Sequence, residues 1–322
     1  MFLKAYTGLS DRKLYEQLNG NLQYQMFCGI FLGPETLADF KVISRIRIQL
    51  AKHLEIREAQ EVLAKSWKPY LEQTNIVLED ATCYETAMRF PTKVKLLWES
   101  VDWMYGQMKL TCKYLKIPTP RTKYLDQKEK YFAYMRKRNK PWKQTVKRTR
   151  SLIHLLDKLI RELDKIEDQH RSLRFSEKYW DRRRVIRKVL TQQQEMFETG
   201  KSVPDRIVSI SKSYIRLIVR GKETKKVEFG AKVNMIQVDG INFIEYLSFN
   251  AFNEGTRLVD SIWYSRSLFG KITHISADAI YATNANRKWC TERKITTNFK
   301  RKGRAGKYED QRLTIAAELH KE

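Results

Sequence analysis

Apolar residues recur along this chain with two different periods, and the switch between them divides it into regions. Residues 1 to about 72 carry the helical period. SDRKLYEQL opens on Ser10 as an N-cap, and FKVISRIRIQLAKHL spaces Val42, Ile43, Ile46, Ile48 and Leu50 among basic positions. Next comes NIVLEDATCYE, whose apolar run Ile76 to Leu78 predicts a buried strand running into Asp80. Side chains alternate across a strand, so Glu79 faces away from Asp80 and reads as a solvent or salt-bridge position. RFPTKVKLLWESVDWMYGQMKLTCKYL predicts a turn at Pro91 and then a long amphipathic helix. From about 105 to 200 the pattern stays helical. SLIHLLDKLIRELDKIEDQH puts Leu152, Leu155, Leu156, Leu159 and Leu163 on one stripe, which suits packing on a neighbouring helix or another subunit. His154 lies beside the stripe and reads as a core or edge histidine.

After VPDRIVSI the period shortens. Residues 206 to 250 alternate or run apolar, with Gly221 and Asp239-Gly240 as turn signals, and predict a set of antiparallel strands. AFNEGTRLVDSIWYSRSLFG predicts a helix, and KITHISADAIYATNANRKWC a strand ending at Asp278 before a further helix start. The expected fold is α+β. Its mixed, ribonuclease-H-like sheet carries two acids at strand ends and is interrupted by a large basic helical insertion.

Composition narrows the function. A chain of 322 residues with 42% hydrophobic content can bury a substantial core in two or three domains, which excludes a disordered tail. Lys and Arg total 62 against 37 Asp and Glu, a formal charge of +25. Such an excess calls for a polyanionic partner, usually nucleic acid and less often an acidic membrane surface; a basic protein with no such partner is the bland alternative. The charge peaks between Arg121 and Arg150, where Lys137, Arg138, Lys147 and Arg148 are the candidate DNA-binding residues. Tyr124, Tyr131, Phe132, Tyr134 and Trp142 interleave with it, either to stack on nucleic acid or to fill a helical core. Arg45, Arg47 and Lys52 could face phosphate or form a solvated basic face. Cys28, Cys83, Cys112 and Cys290 are too scattered for zinc and read as reduced thiols. No apolar run approaches membrane-spanning length and the opening MFLKAYTGLSDRKL is no signal peptide, so a cytoplasmic protein without a membrane partner is expected.

Several blocks carry a specific likeness. EDATCYETAMRFPTKVKLLWE, IVSISKSYIRLIVRGKETKKVEFGAKVN, FNEGTRL and ADAIYATNANRKWC, together with GLSDRKLYEQLNGNLQYQMFCG near the start, resemble successive blocks of bacterial insertion-sequence transposases of the DDE type with an InsH-like N-terminal domain. The resemblance covers nearly the whole chain. It implies a helical DNA-binding or assembly domain at 1–72, the first part of a catalytic core with its first acid at 73–104, and a basic helical insertion at 105–203. The rest of the core, with the second acid, falls at 204–322. It also implies DNA transposition on terminal inverted repeats and target duplex, with Mg²⁺ or, as the alternative, Mn²⁺; whether the chain forms a homo-oligomer is left open by the sequence.

The chemistry explains the acids. In-line displacement at a phosphodiester is served by two metal ions roughly 3.5–4 Å apart, and magnesium takes hard oxygen ligands. Asp80 and Asp278 are the implied catalytic residues and metal ligands. Taken without the resemblance, both would be ordinary strand-end or capping carboxylates. Asp239 is explained by its turn, and Glu254 by capping or by a supporting position near the site. The family's third acid lies on a helix after the basic GRAGKYEDQR-like segment, a block with no counterpart before Glu322. Glu309, Glu318 and Glu322 stand outside that context, so the third acid is unassigned and the chain is expected to be shortened at both ends. Lys93, Ser213 and Leu217 also depart from the family pattern. A DNA-binding fragment without catalysis is the alternative function. An RNA-binding protein would account for the charge but not for the blocks around Asp80 and Asp278.

Overall fold

The computed structural model describes residues 1–37, 39–219 and 227–300. They form two compact units, residues 1–74 with 267–270 and residues 75–266 with 271–300. In the first, α1 (Phe2–Thr7), α2 (Asp11–Gly20), α3 (Leu22–Phe27), α4 (Lys41–His53) and α5 (Ile56–Trp67) follow one another. Ser10 caps α2, its hydroxyl accepting from the Lys13 N–H at 3.2 Å. Leu3, Leu14, Leu18 and Ile43 make the core. Of the α4 stripe, Ile43 is buried and Val42 half-buried, while Ile46, Ile48 and Leu50 are exposed. Arg47, about half exposed, makes an ion pair within this unit: Asp11 accepts from it at 2.7 Å and pairs with Lys4 at 2.7 Å. Those two cations hold the Asp11 carboxyl well below the usual carboxylate range.

The second unit is mixed α/β. It begins with β1 (Ile76–Glu85), turns at Pro91 and enters α6 (Lys93–Leu115), capped by the Thr92 hydroxyl. Next come α7 (Tyr124–Arg136), α8 (Trp142–Gln169) and α9 (Glu177–Thr199). The leucine stripe of α8 is buried with Leu97, Val101, Met104 and Met108 of α6, so it packs within the chain. His154 is exposed, at the edge of the stripe.

The remaining elements are β2 (Leu217–Val219), β3 (Val227–Val238), β4 (Ile241–Ser248), α10 (Leu258–Phe269), β5 (His274–Ala277), α11 (Asn284–Glu292) and β6 (Thr296–Thr297). They assemble with β1 in the order β4-β3-β1-β5-β6, and β2 pairs with the start of β3. β3 runs antiparallel to β1, β2 and β4, whereas β5 runs parallel to β1 and β6. Asp239 (φ 48°) and Gly240 (φ 77°) join β3 to β4 with the two left-handed residues of a tight hairpin turn. Gly221, expected at a turn, lies outside the described residues.

Two strand expectations are corrected. Residues 206–210 are not a strand, although Ile207, Val208 and Ile210 are buried. The Gln192 side chain of α9 takes the place of a ladder, accepting from the Ile207 N–H at 3.0 Å and donating to the carbonyls of Pro204 and Asp205. Nor does β1 end at Asp80. It continues to Glu85 because β3 supplies an antiparallel partner as far as Glu85↔Gly230. The backbones approach closely there, and a Cβ on Gly230 would meet the Tyr84 carbonyl oxygen at 2.0 Å, so glycine is required.

Candidate active site

Strand register brings Asp80 and Asp278 side by side. The parallel β1–β5 ladder runs from Ile76↔His274 to Glu79↔Ala277, and each aspartate is the next residue on its strand path. Neighbouring strands lie about 4.8 Å apart, so the two carboxylates leave the sheet as adjacent groups. Both are exposed, and with Leu78, Met235, Gln237, Asn242 and Ser276 they line one open cleft of about 350 Å³. The backbone N–H of Ala81 donates to Asp80 Oδ1 at 2.8 Å. Asp278 follows the last residue of β5, whose N–H is held by Asn298 Oδ1 at 3.1 Å.

Two carboxylates with water make a sufficient first set for one Mg²⁺, which commonly keeps several waters and one or two carboxylates. Gln237 and Asn242 line the same cleft, where the Gln237 amide donates to Asn242 Oδ1 at 3.3 Å. Among the described residues no group of three or more His, Cys, Asp or Glu is arranged to hold a metal. Glu309, Glu318 and Glu322 lie outside the described residues.

Behind the cleft the sheet buries a polar network. Glu79 is 3% exposed, not a solvent position, because the face of β1 opposite Asp80 is covered. It accepts from Asn234 Nδ2 of β3 at 2.9 Å and from the Ser261 hydroxyl of α10. The same amide donates to Glu245 of β4 at 3.0 Å and to Ser261 Oγ at 3.0 Å, and its carbonyl oxygen accepts from the Tyr281 hydroxyl at 2.7 Å. Arg257 neutralises Glu245 through two hydrogen bonds. Burial pushes the Glu79 carboxyl up to about 7, against the opposing pull of the bonds from Asn234 and Ser261. Burial also raises the Tyr281 hydroxyl far above its ordinary value, and the nearby charges of Glu79, Glu254, Asp80 and Asp278 push the same way. Glu254 pairs with Lys232 at 2.7 Å; the turn that follows is capped instead by Asn253, whose side chain accepts from the Gly255 N–H.

The basic candidates sit apart from this cleft in sequence. Lys137 and Arg138 occupy the turn between α7 and α8, and Lys147 and Arg148 the early part of α8. Lys137, Arg138 and Lys147 are exposed, with Lys137 donating to Gln144 Oε1 at 3.1 Å. Arg148 is half-buried and donates to Gln127 Oε1 at 3.2 Å, so part of its capacity is spent on packing α8 against α7. The interleaved aromatics divide. Tyr124 and Tyr131 stack on Trp98 at 5.5 and 4.7 Å, and Tyr134 is also buried, so these three are core residues. Trp142, at 77% exposed, and Phe132 remain at the surface.

Residues 1–49, which span α1 to most of α4, match the family model described as Transposase domain (DUF772). This match supports a transposase family. No curated protein and no solved structure matches the chain. Among the described residues no helix is long and apolar enough to cross a membrane.

The buried network beneath Asp80 and Asp278 is the part that the sequence did not reveal. Asn234 stands in VNMIQV as one of two polar residues, with Gln237, on a strand where polar positions usually mark a solvent face. Its one signal was the company of Glu79 and Glu245 on neighbouring strands, which becomes visible only once the pairing is known.

Proposed function

We propose that this chain is a DDE-type DNA transposase of the bacterial insertion-sequence kind. Its ribonuclease-H-like sheet would carry Asp80 and Asp278 as metal-binding catalytic residues, and the helical insertion would hold duplex DNA. One observation carries the reading: the two aspartates, far apart in sequence, line a single open cleft from adjacent parallel strands. The transposase-domain match over residues 1–49 supports it independently.

Asp80 and Asp278 would hold Mg²⁺, or Mn²⁺ in its place, and the ion would supply charge stabilisation at the attacked phosphate. The cleft is open, and its two carboxylates are exposed where a phosphodiester could approach. The basic side chains of the α7–α8 turn and of early α8 would hold the backbone without reading bases, which sets position rather than sequence. A second reading is DNA binding without cleavage. It is favoured by the convergence of two acids, not three, among the described residues.

The test is Mg²⁺-dependent cleavage of labelled duplex carrying the terminal inverted repeats that flank the gene. Asp80→Asn and Asp278→Asn are each expected to abolish cleavage while leaving duplex affinity within about twofold, because phosphate contacts and metal ligation are separate tasks. Cleavage that survives either substitution removes that residue from the site. Tight duplex binding with no cleavage by the parent chain favours the second reading.

A further inference from the structure

We propose that Asn234 is a positioning residue, whose buried amide sets the spacing of Asp80 and Asp278, the two carboxylates that would hold a divalent cation. The inference rests on the reading of those aspartates as metal ligands. The β1–β5 ladder ends at Glu79↔Ala277, one residue short of both. Past that point, a path of hydrogen bonds crosses beneath the cleft. It runs from Glu79, the residue before Asp80, through Asn234 to Tyr281, three residues after Asp278.

Asn234 is 0% exposed and sits opposite Ala81 in the β1–β3 pairing. From there the two protons of its NH₂ are divided among three acceptors, Glu79 on β1, Glu245 on β4 and Ser261 on α10, so that one proton is shared, while its oxygen takes the Tyr281 proton. Donor and acceptor sides are both in use, so rotation of the amide would break contacts on every side. The arrangement is costly. Two carboxylates share one amide, and Glu79 Oε2 is buried without a hydrogen-bond partner. Apolar packing of the same volume would serve stability at least as well, whereas directional bonds fix where the flanking backbone lies. Metal ligands are commonly oriented by such outer groups, whose loss weakens metal affinity by about 10–100-fold.

The test is Mn²⁺ binding by the full chain, read from the loss of the free-ion electron paramagnetic resonance signal, beside thermal unfolding of each variant. Asp80→Asn is expected to abolish the site. Asn234→Leu, close in volume but without the amide, is expected to weaken Mn²⁺ binding by about tenfold or more, and also to lower thermal stability because Glu79, Glu245 and Tyr281 lose a buried partner. Tyr281→Phe removes a single oxygen and keeps the question answerable if the leucine variant fails to fold; its expected weakening is about threefold to tenfold. Parent-like Mn²⁺ affinity in folded Asn234→Leu, or in Tyr281→Phe when the leucine variant does not fold, overturns the positioning role and leaves the metal reading standing. Equal Mn²⁺ binding by the parent and Asp80→Asn, or none by the parent, overturns the metal reading and the positioning role with it.

Discussion

The helices from α6 to α9 and the sheet they interrupt bury different things. Between the helices lie Leu97, Val101, Met104 and Met108 against Leu152, Leu156, Leu159 and Leu163, with Trp98, Tyr124 and Tyr131 stacked beside them. Inside the sheet, at the level of the aspartates, lie Glu79, Asn234, Glu245 and Ser261. Apolar contacts are non-directional and tolerate repacking when volume is kept, so the helical core serves to hold a surface in place. Hydrogen bonds in a dry interior fix atoms along stated directions and lose heavily when half-made. The region that carries Asp80 and Asp278 has the directional core; the region that carries the exposed Lys137, Arg138 and Lys147 has the apolar one.

The largest expected effect tests the helical half. Leu159 is 0% exposed, in the middle of the α8 stripe. Leu159→Ala is expected to cost about 2–5 kcal/mol in denaturant unfolding, the lost transfer energy plus the cavity left behind. Leu159→Met keeps the volume and is expected to cost less than about 1.5 kcal/mol. Equal costs for the two would mean that shape, not volume, governs this core, and the contrast with the sheet would blur.

A somewhat smaller effect, dependent on pH, belongs to the sheet. Burial raises the Glu79 carboxyl to about 7, above the ordinary 4.5 that it regains on unfolding. The unfolded chain therefore releases this proton first. The stability that neutral Glu79 contributes is whole below about pH 4.5 and is lost as pH rises through 7. At one pKa unit per roughly 1.4 kcal/mol, the loss across that window is about 3 kcal/mol. Glu79→Gln is expected to remove this part of the pH slope and to gain stability over the parent as pH rises toward 8. Unfolding curves taken from pH 4.5 to 8 that fall in parallel for parent and variant would show that Glu79 does not titrate in the folded state.

Much of the frame was legible in the sequence, and the reasons are local. Asp239-Gly240 needs two left-handed residues, the α8 stripe repeats often enough to exclude a strand, and ISA running into Asp278 is a short apolar run with a clear stop. Glu79 was half legible. Alternation shows that it faces away from Asp80 but not which side is dry, since that depends on α10 and β4 arriving from far along the chain. Asn234 was illegible for the same reason. The apolar run at 206–210 could not be told from a strand, because the partner that satisfies it is a glutamine side chain on α9 rather than a ladder. The adjacency of Asp80 and Asp278 came from the family resemblance. Periodicity alone gave two strand-end acids and no reason to pair them.

The smallest expected change in stability, on the helical half, is the one that bears most on DNA. Lys137, Arg138 and Lys147 are exposed and lie outside the apolar core, so replacing all three with Gln is expected to move unfolding stability by no more than about 0.5 kcal/mol per site. If they contact phosphates, each releases about one counterion, and the slope of log affinity against log salt should become shallower by about two to three. Arg148 is left out because its bond to Gln127 also supports α7 against α8, and its loss would mix packing with binding. A flattened slope at unchanged stability would assign the surface of the helical half to DNA and its interior to support. An unchanged slope would move the phosphate contacts elsewhere on the chain; the apolar core of α6 to α9 would then be holding up some other surface, and the division of labour between the two halves would rest on the sheet alone.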